Sequence, residues 1–272
     1  MDKASGFWKW SGLFLAGAAL VVFIFMTPPS LLRKLDYIGA AVCHRQASHS
    51  FFIGGHQLPV CQRCTGTFSG ALTGLLFQLV VLRRRRARRF PPLWVWGTAG
   101  FFFALWALDG VNSFAIEQFG RSLLGYETGP ATRLFSGIFM GMSMSVVLVP
   151  AFNQTLWADG LDEYSLRTWK ELLVLVLVEF VQAVLIYQLI PWTLYPVALY
   201  TGLGIVTMFI LLGTMIWVMA LGRDQVYPSW RQAWLPLLWG VVFAALIVGG
   251  MDGLRLFLTG TIDTLPGLSM AL

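Results

Sequence analysis

Apolar windows recur along the chain at 10–27, 65–82, 93–111, 134–151, 171–190, 194–221 and 233–251, and most of the charged residues lie between them. Each window is close to the ~20 residues that an α-helix needs to cross the hydrocarbon core of a bilayer. Lipid offers the backbone no hydrogen-bond partners, so long apolar runs of this kind cross it as helices. The pattern therefore predicts an all-α integral membrane protein with about seven transmembrane helices, a single polytopic domain over 1–272. The first window follows Lys3 and Lys9, as a signal-peptide core does, but no small-x-small cleavage site stands near Met26-Thr27-Pro28-Pro29. It is read as a retained span. The stretch 252–272 carries Asp252, Arg255 and Asp263 among apolar residues and is read as a short re-entrant or interfacial piece.

Lys and Arg in short loops set the orientation of such a bundle. With the N-terminus cytoplasmic, 12 of the 19 basic residues fall inside, among them the run Arg83, Arg84, Arg85, Arg86, Arg88 and Arg89. This places the 28–64 loop outside. The composition agrees with a membrane setting: 57% of residues are hydrophobic, 12% are charged and the mean hydropathy is +0.70. A soluble domain carries about 25% charged residues. The net charge of +6 invites a nucleic-acid reading. The arginine run accounts for it more simply as a topology signal that also suits anionic headgroups, and no nucleic-acid partner is expected. The bilayer is the expected surrounding, and the cell membrane the expected location.

Gly66, Gly70 and Gly74 recur every fourth residue in the second window, and Gly137, Gly141 and Ser145 do so in the fourth. Small residues at this spacing let helix backbones approach closely. The favoured reading is tight packing within the bundle. A reading as an accessory subunit of a larger membrane complex would instead use the Gly66/Gly70/Gly74 and Gly137/Gly141 faces to dock membrane-protein partners. The 28–64 loop is long and shows no obvious helix, which is uncommon for a segment without function.

All three cysteines (Cys43, Cys61, Cys64) and all three histidines (His44, His49, His56) lie within residues 43–64. Cys61 and Cys64 form a C-x-x-C pair at the entrance to the second window, and Cys43-His44 can fold back across the Gly54-Gly55 turn to join them. Three thiolates and one imidazole make a tetrahedral donor set, which points to a transition metal with zinc first; iron–sulfur and copper use related sets. Two other readings use the same residues. One is an extracytoplasmic disulfide, Cys61–Cys64 or one involving Cys43, which an oxidising compartment permits. The other is a membrane thiol–disulfide oxidoreductase using Cys61 and Cys64, where the helix dipole and Arg63 would lower a thiol pKa.

The segment from Cys43-His44 through Ser50-Phe51-Phe52 and Gly54-Gly55 to Pro59-Val60-Cys61-Gln62-Arg63-Cys64-Thr65-Gly66 resembles the signature of an uncharacterised prokaryotic membrane-protein family, a domain of unknown function. Its later D-G motif matches Asp109-Gly110, and its R-x-x-T/S-G motif matches Arg133 through Ser136-Gly137. The resemblance spans roughly 35–145. It implies a multi-pass fold around a Cys/His hairpin and carries no established activity. The family has Arg where this chain has His49, and His56 occupies a variable position, so the motif-matched set is Cys43, His44, Cys61 and Cys64.

Asp109 ends the third window on the same face as Cys61 and Cys64, within reach of Arg63 or Arg133. Ala107-Leu108-Asp109-Gly110 is echoed by Gly250-Met251-Asp252-Gly253, so Asp109 and Asp252 are expected to converge as a polar rim around the cysteines. Glu179 falls near the middle of the fifth window, where a carboxylate is costly and usually faces a bundle interior or cavity. Gln182, one turn on, is placed to hydrogen-bond it. The chain has no phosphate-cradling glycine loop, no H-E-x-x-H and no G-x-S-x-G, so ATP-driven transport within this chain and serine hydrolysis are not expected.

Overall fold

The structure, a computed structural model, describes residues 3–263. Seven long helices follow the seven apolar windows: α1 (Lys3–Met26), α3 (Gln62–Leu76), α4 (Leu93–Phe119), α5 (Pro130–Leu156), α6 (Trp169–Tyr187), α7 (Leu194–Ala220) and α8 (Trp234–Thr259). A short helix, α2 (Leu31–Ala40), and a hairpin of β1 (Ser50–Ile53) and β2 (His56–Cys61) lie between α1 and α3. Six of the long helices are long and apolar enough to cross a membrane. The seventh, α6, matches them in apolar character apart from three charged residues, Lys170, Glu171 and Glu179. The protein is a multi-pass helical membrane protein.

α3 and α5 form the most extensive helix pair. A Cβ on Gly66 or Gly70 would land on the α5 backbone at Leu134 and Ile138, and a Cβ on Gly137 or Gly141 would land on the carbonyls of Arg63 and Thr67. The two glycine faces therefore meet each other. This is the tight packing within the bundle that the spacing favours, and the alternative, docking of a partner protein on these faces, is corrected because their surface is consumed inside the chain. α7 joins the same centre, with Gly204 against the Phe68 carbonyl, while α1 packs at the rim through Trp8, which meets Trp217 and Trp239 edge-on.

The chain alternates between two ends of this bundle. At one end the short strands β3 (Ala87–Arg89) and β4 (Leu161–Tyr164) pair in parallel. Here the arginine run meets carboxylates: Arg84 with Glu163 at 2.8 Å and with Glu171 at 3.4 Å, Arg86 with Asp159, and Arg89 with Asp162 at 3.3 Å. The opposite end carries α2, the hairpin, the C-terminus of α4, the N-terminus of α5 and the C-terminus of α8. The 28–64 segment is therefore not an irregular loop. α2 is amphipathic, burying Leu35, Asp36, Gly39 and Ala40, and Gly39 is where the Pro59 carbonyl presses against it. α8 also runs two turns beyond its predicted end, to Thr259, so 252–259 is a continuation of the span rather than a re-entrant piece. Residues 264–272 of that predicted piece lie outside the described residues.

Candidate metal centre

The hairpin places the cysteines. Gly54 and Gly55 adopt φ +58° and +81°, the left-handed pair that a tight two-residue turn requires and that glycine adopts at little cost. The register pairs Ile53 with His56 and Ser50 with Cys61, with a bulge between Ser50 and Phe52. Cys61 thus ends β2 and is also the N-cap residue of α3, which puts Cys64 on the first turn of the helix. Cys43 comes from the segment after α2. Its Sγ accepts from the backbone N–H of Cys61 at 3.2 Å and from that of Arg45 at 3.4 Å.

The three sulfur atoms all lie within 4.8 Å of one another, and all three cysteines are free thiols. Cys43 and Cys61 are buried, at 6% and 5% exposure, and pack with Val60 and Ile205. Phe68 and Phe209 close the membrane side. Hydrogen bonds from Cys43, from Cys64 and from His44 hold the Cys61 thiol far below its ordinary range. Cys43 keeps its proton to serve Cys61 and is pushed up to about 12. Cys61 is thus the sulfur on which the hydrogen bonds of the trio converge.

His44 borders the cluster but is exposed. Its Nδ1 accepts from the Gln46 N–H at 3.0 Å, which leaves the other ring nitrogen to carry the proton that serves Cys61. His49 packs edge-on against it, with ring centroids 5.7 Å apart, and turns its Nε2 to Glu117 at 3.1 Å. Burial, then the charge of Arg133, holds His49 below its usual range. His56 sits exposed at the hairpin tip.

Two polar groups flank the sulfurs. On one side Arg63 reaches Asp109 at 2.5 Å, and Asp109 also accepts from Tyr126 at 3.2 Å and from Ser136 at 3.4 Å. Asn112 makes this possible by gathering the N–H groups of Leu123 and Leu124 and the Tyr126 carbonyl into a tight loop. Arg133 donates to Ser113 at 3.0 Å rather than to Asp109. On the other side Arg255 donates to the carbonyls of Ala40, Cys43, His44 and Asp263. Asp36 pairs with Arg45 at 2.7 Å, and Asp252 is buried and within the electrostatic reach of Arg255 and Arg45. The expected convergence of Asp109 and Asp252 is not seen in their contacts: Asp109 binds Arg63, Tyr126 and Ser136, whereas Asp252 lies in the field of Arg255 and Arg45 with its Oδ1 unpartnered among the described residues. Arg255, Arg45, Asp36, Tyr126 and Glu117 were not singled out from the sequence as site residues. Arg255 alone carries a signal in the sequence, since Arg255-Leu256-Phe257 repeats Arg133-Leu134-Phe135.

Deeper in the bundle, Gln182 does not bond to Glu179. Its Oε1 accepts from Thr73 at 2.6 Å instead, and Thr73 in turn meets the Tyr200 hydroxyl at 2.8 Å.

Residues 43–147 match the family model described as "Predicted membrane protein (DUF2085)". That segment runs from Cys43 into α5 and takes in the hairpin, both glycine faces and the Arg63–Asp109 pair. The chain is also similar to an uncharacterised protein of Methanocaldococcus jannaschii, 26% identical over 119 residues, which are 43% of this chain and 67% of that protein. A second uncharacterised protein, from Methanothermobacter thermautotrophicus, is 42% identical over 40 residues, 15% of this chain and 36% of that one. No solved structure matches the chain. The resemblance to an uncharacterised membrane-protein family is thus borne out, and the family description together with six apolar helices supports a multi-pass membrane protein.

Proposed function

We propose that this membrane protein holds a transition metal, zinc first by donor type, on Cys43, Cys61 and Cys64, and that the end of the bundle bearing it faces outward. The mutual approach of three sulfurs, one from the segment after α2 and two from the β2–α3 junction, carries this reading. A tetrahedral zinc–thiolate set has sulfurs roughly 3.8 Å apart, from Zn–S bonds of about 2.3 Å, and the trio, all within 4.8 Å of one another, is close to that spacing. The N–H groups aimed at Cys43 Sγ, and the one thiolate already favoured at Cys61, suit a site that binds a cation. The arginine run at the opposite end supports the orientation through the inside preference of basic loops.

The hydrogen bonding of His44 favours three protein ligands over four. With Nδ1 accepting from Gln46, the proton-bearing nitrogen is a donor to the Cys61 sulfur and not a free ligand. A metal with three protein ligands keeps a position for an exchangeable group, the arrangement of catalytic or transfer sites rather than closed structural ones. In such a site Cys43, Cys61 and Cys64 bind, His44 orients the Cys61 sulfur by donating a hydrogen bond to it, and Arg255 holds the Cys43-His44 carbonyls in place.

The test is elemental analysis of protein purified without chelator. About one metal per chain is expected, lost in Cys61→Ser and in Cys43→Ser and retained in His44→Ala. Metal-free protein with three freely alkylated thiols would overturn the reading. The lowered Cys61 thiol at the helix entrance also favours a second reading, a thiol–disulfide exchange site with Cys64. Burial of Cys43 and Cys61 counts against it, because buried thiols reach protein substrates poorly. A reversible Cys61–Cys64 disulfide in metal-free protein would select it.

A further inference from the structure

Glu179 is fully buried at the middle of α6, and neither of its carboxyl oxygens has a hydrogen-bond partner among the described residues. Its surroundings on α6 are apolar: Leu175 one turn before and Ala183 one turn after are both fully buried in hydrophobic clusters. No charged side chain from α3, α5 or α7 acts on it among the described residues. The titratable neighbour is Tyr200 of α7, which is electrostatically coupled to it. An ionised carboxylate without a counter-ion or a donor is the least favourable state a membrane interior can hold, so the acid is held there as a neutral group.

The polar chain beside it gives that acid an edge. Gln182, one turn along the same helix, accepts from Thr73, whose hydroxyl oxygen then takes the proton of Tyr200. This orders a hydrogen-bonded row, Tyr200 to Thr73 to Gln182, across α7, α3 and α6. All three are partly exposed, whereas Glu179 behind them is sealed. A merely structural carboxyl would be expected to spend its oxygens on that row, and Glu179 does not.

We infer that Glu179 is an intramembrane proton-binding site, with the Tyr200–Thr73–Gln182 row as the polar edge through which its proton exchanges. The site is separate from the cysteine centre and stands or falls independently of it. Glu179 binds one proton as a carboxylic acid and releases it as a carboxylate, and no other bond changes.

The probe is N,N′-dicyclohexylcarbodiimide, which adds to a protonated carboxyl buried in an apolar setting and leaves a stable acylurea. Wild-type protein in lipid nanodiscs is labelled and the α6 peptide read by mass spectrometry. The expected result is an adduct on Glu179 at least tenfold above that on Glu171, the solvent-side control on the same helix, and falling as pH is raised. Infrared spectra should show a carboxylic-acid carbonyl band that shifts in D2O and is missing from Glu179→Gln. In Thr73→Val and Gln182→Leu the deuterium exchange of that band should slow about tenfold. An unlabelled Glu179 in wild-type protein, or an acid band that never exchanges, overturns the proposal without reliance on any variant. Unchanged exchange in both edge variants overturns the assigned route.

Discussion

The Arg255 guanidinium on α8 donates to the Cys43 carbonyl at 2.7 Å, although the two residues are 212 positions apart in the chain. The same side chain reaches the carbonyls of Ala40, His44 and Asp263. One cation thus gathers four backbone dipoles from the end of α2, the cysteine segment and the chain after α8. On Cys43 itself, Sγ accepts from the N–H groups of Cys61 and Arg45. This relation explains how the 43–46 stretch, which has no regular structure of its own, holds a ligand in place.

Replacing Arg255 with Met should therefore loosen the Cys43-His44 segment while leaving the bundle helical. Residues that orient metal ligands typically change affinity about 10–100-fold when removed. Competition with a chromophoric chelator should show a loss of that size in Arg255→Met. Unchanged metal affinity would separate the clamp from the centre.

The α3–α5 contact yields a sharper comparison. A Cβ on Gly141 would strike the Thr67 carbonyl, a backbone atom that cannot rotate aside, whereas one on Gly100 meets nothing within 4 Å. Overpacking of a tight core costs about 1–3 kcal/mol, and a surface change costs within about 0.5 kcal/mol. Gly141→Val is expected to lower the detergent unfolding midpoint strongly and Gly100→Ala to leave it unchanged. Equal midpoints would mean that the glycine faces do not carry the packing.

The spans were legible because lipid imposes one rule on every crossing: satisfy the backbone internally and present apolar side chains. The seven windows correspond to seven long helices on that ground alone. The rule fails where polar residues find partners in three dimensions. α8 outran its window because Asp252 and Arg255 interrupt the apolar run, yet Arg255 is consumed by carbonyls and Leu254, Leu256 and Phe257 continue the helix. α2 was missed because ten residues with a buried Asp36 look like loop, and the salt bridges to Arg45 and Arg33 make that burial tolerable. The cysteines were legible by residue type and spacing. Their supports were not, since Arg255, Tyr126 and Glu117 are joined to the site only by the packing of distant helices. The expected Glu179–Gln182 bond failed for a related reason: shared helical face allows a contact, but Thr73 on another helix competed for the same amide.

The Arg63–Asp109 pair ties α3 to α4 directly behind Cys64, with the carboxylate side chain only 4% exposed. Removing one member of a buried pair leaves the other uncompensated, at a cost of about 3–5 kcal/mol. Asp109→Ala should show a loss of that order in chemical unfolding. Tyr126→Phe removes a single neutral donor and should cost about 1 kcal/mol. If both variants unfold alike, the ion pair is not what holds this corner.

Acid should release the segment after α8 before it unfolds the bundle. Asp263 is held below the usual carboxylate range, chiefly by its hydrogen bond from Arg33, which lies at 2.9 Å. A depressed carboxyl contributes stability that is fully present above its unfolded value near 3.8 and is lost as pH falls through the lower folded value. Because Asp263 is half exposed, the effect is local rather than global. Hydrogen exchange of residues 255–263 should accelerate as pH drops below that range, after correction for intrinsic rates. In Asp263→Asn the segment should exchange faster already at neutral pH and lose the acid dependence. An unaltered acid response in Asp263→Asn would assign the release to Asp36, which also pairs with Arg33.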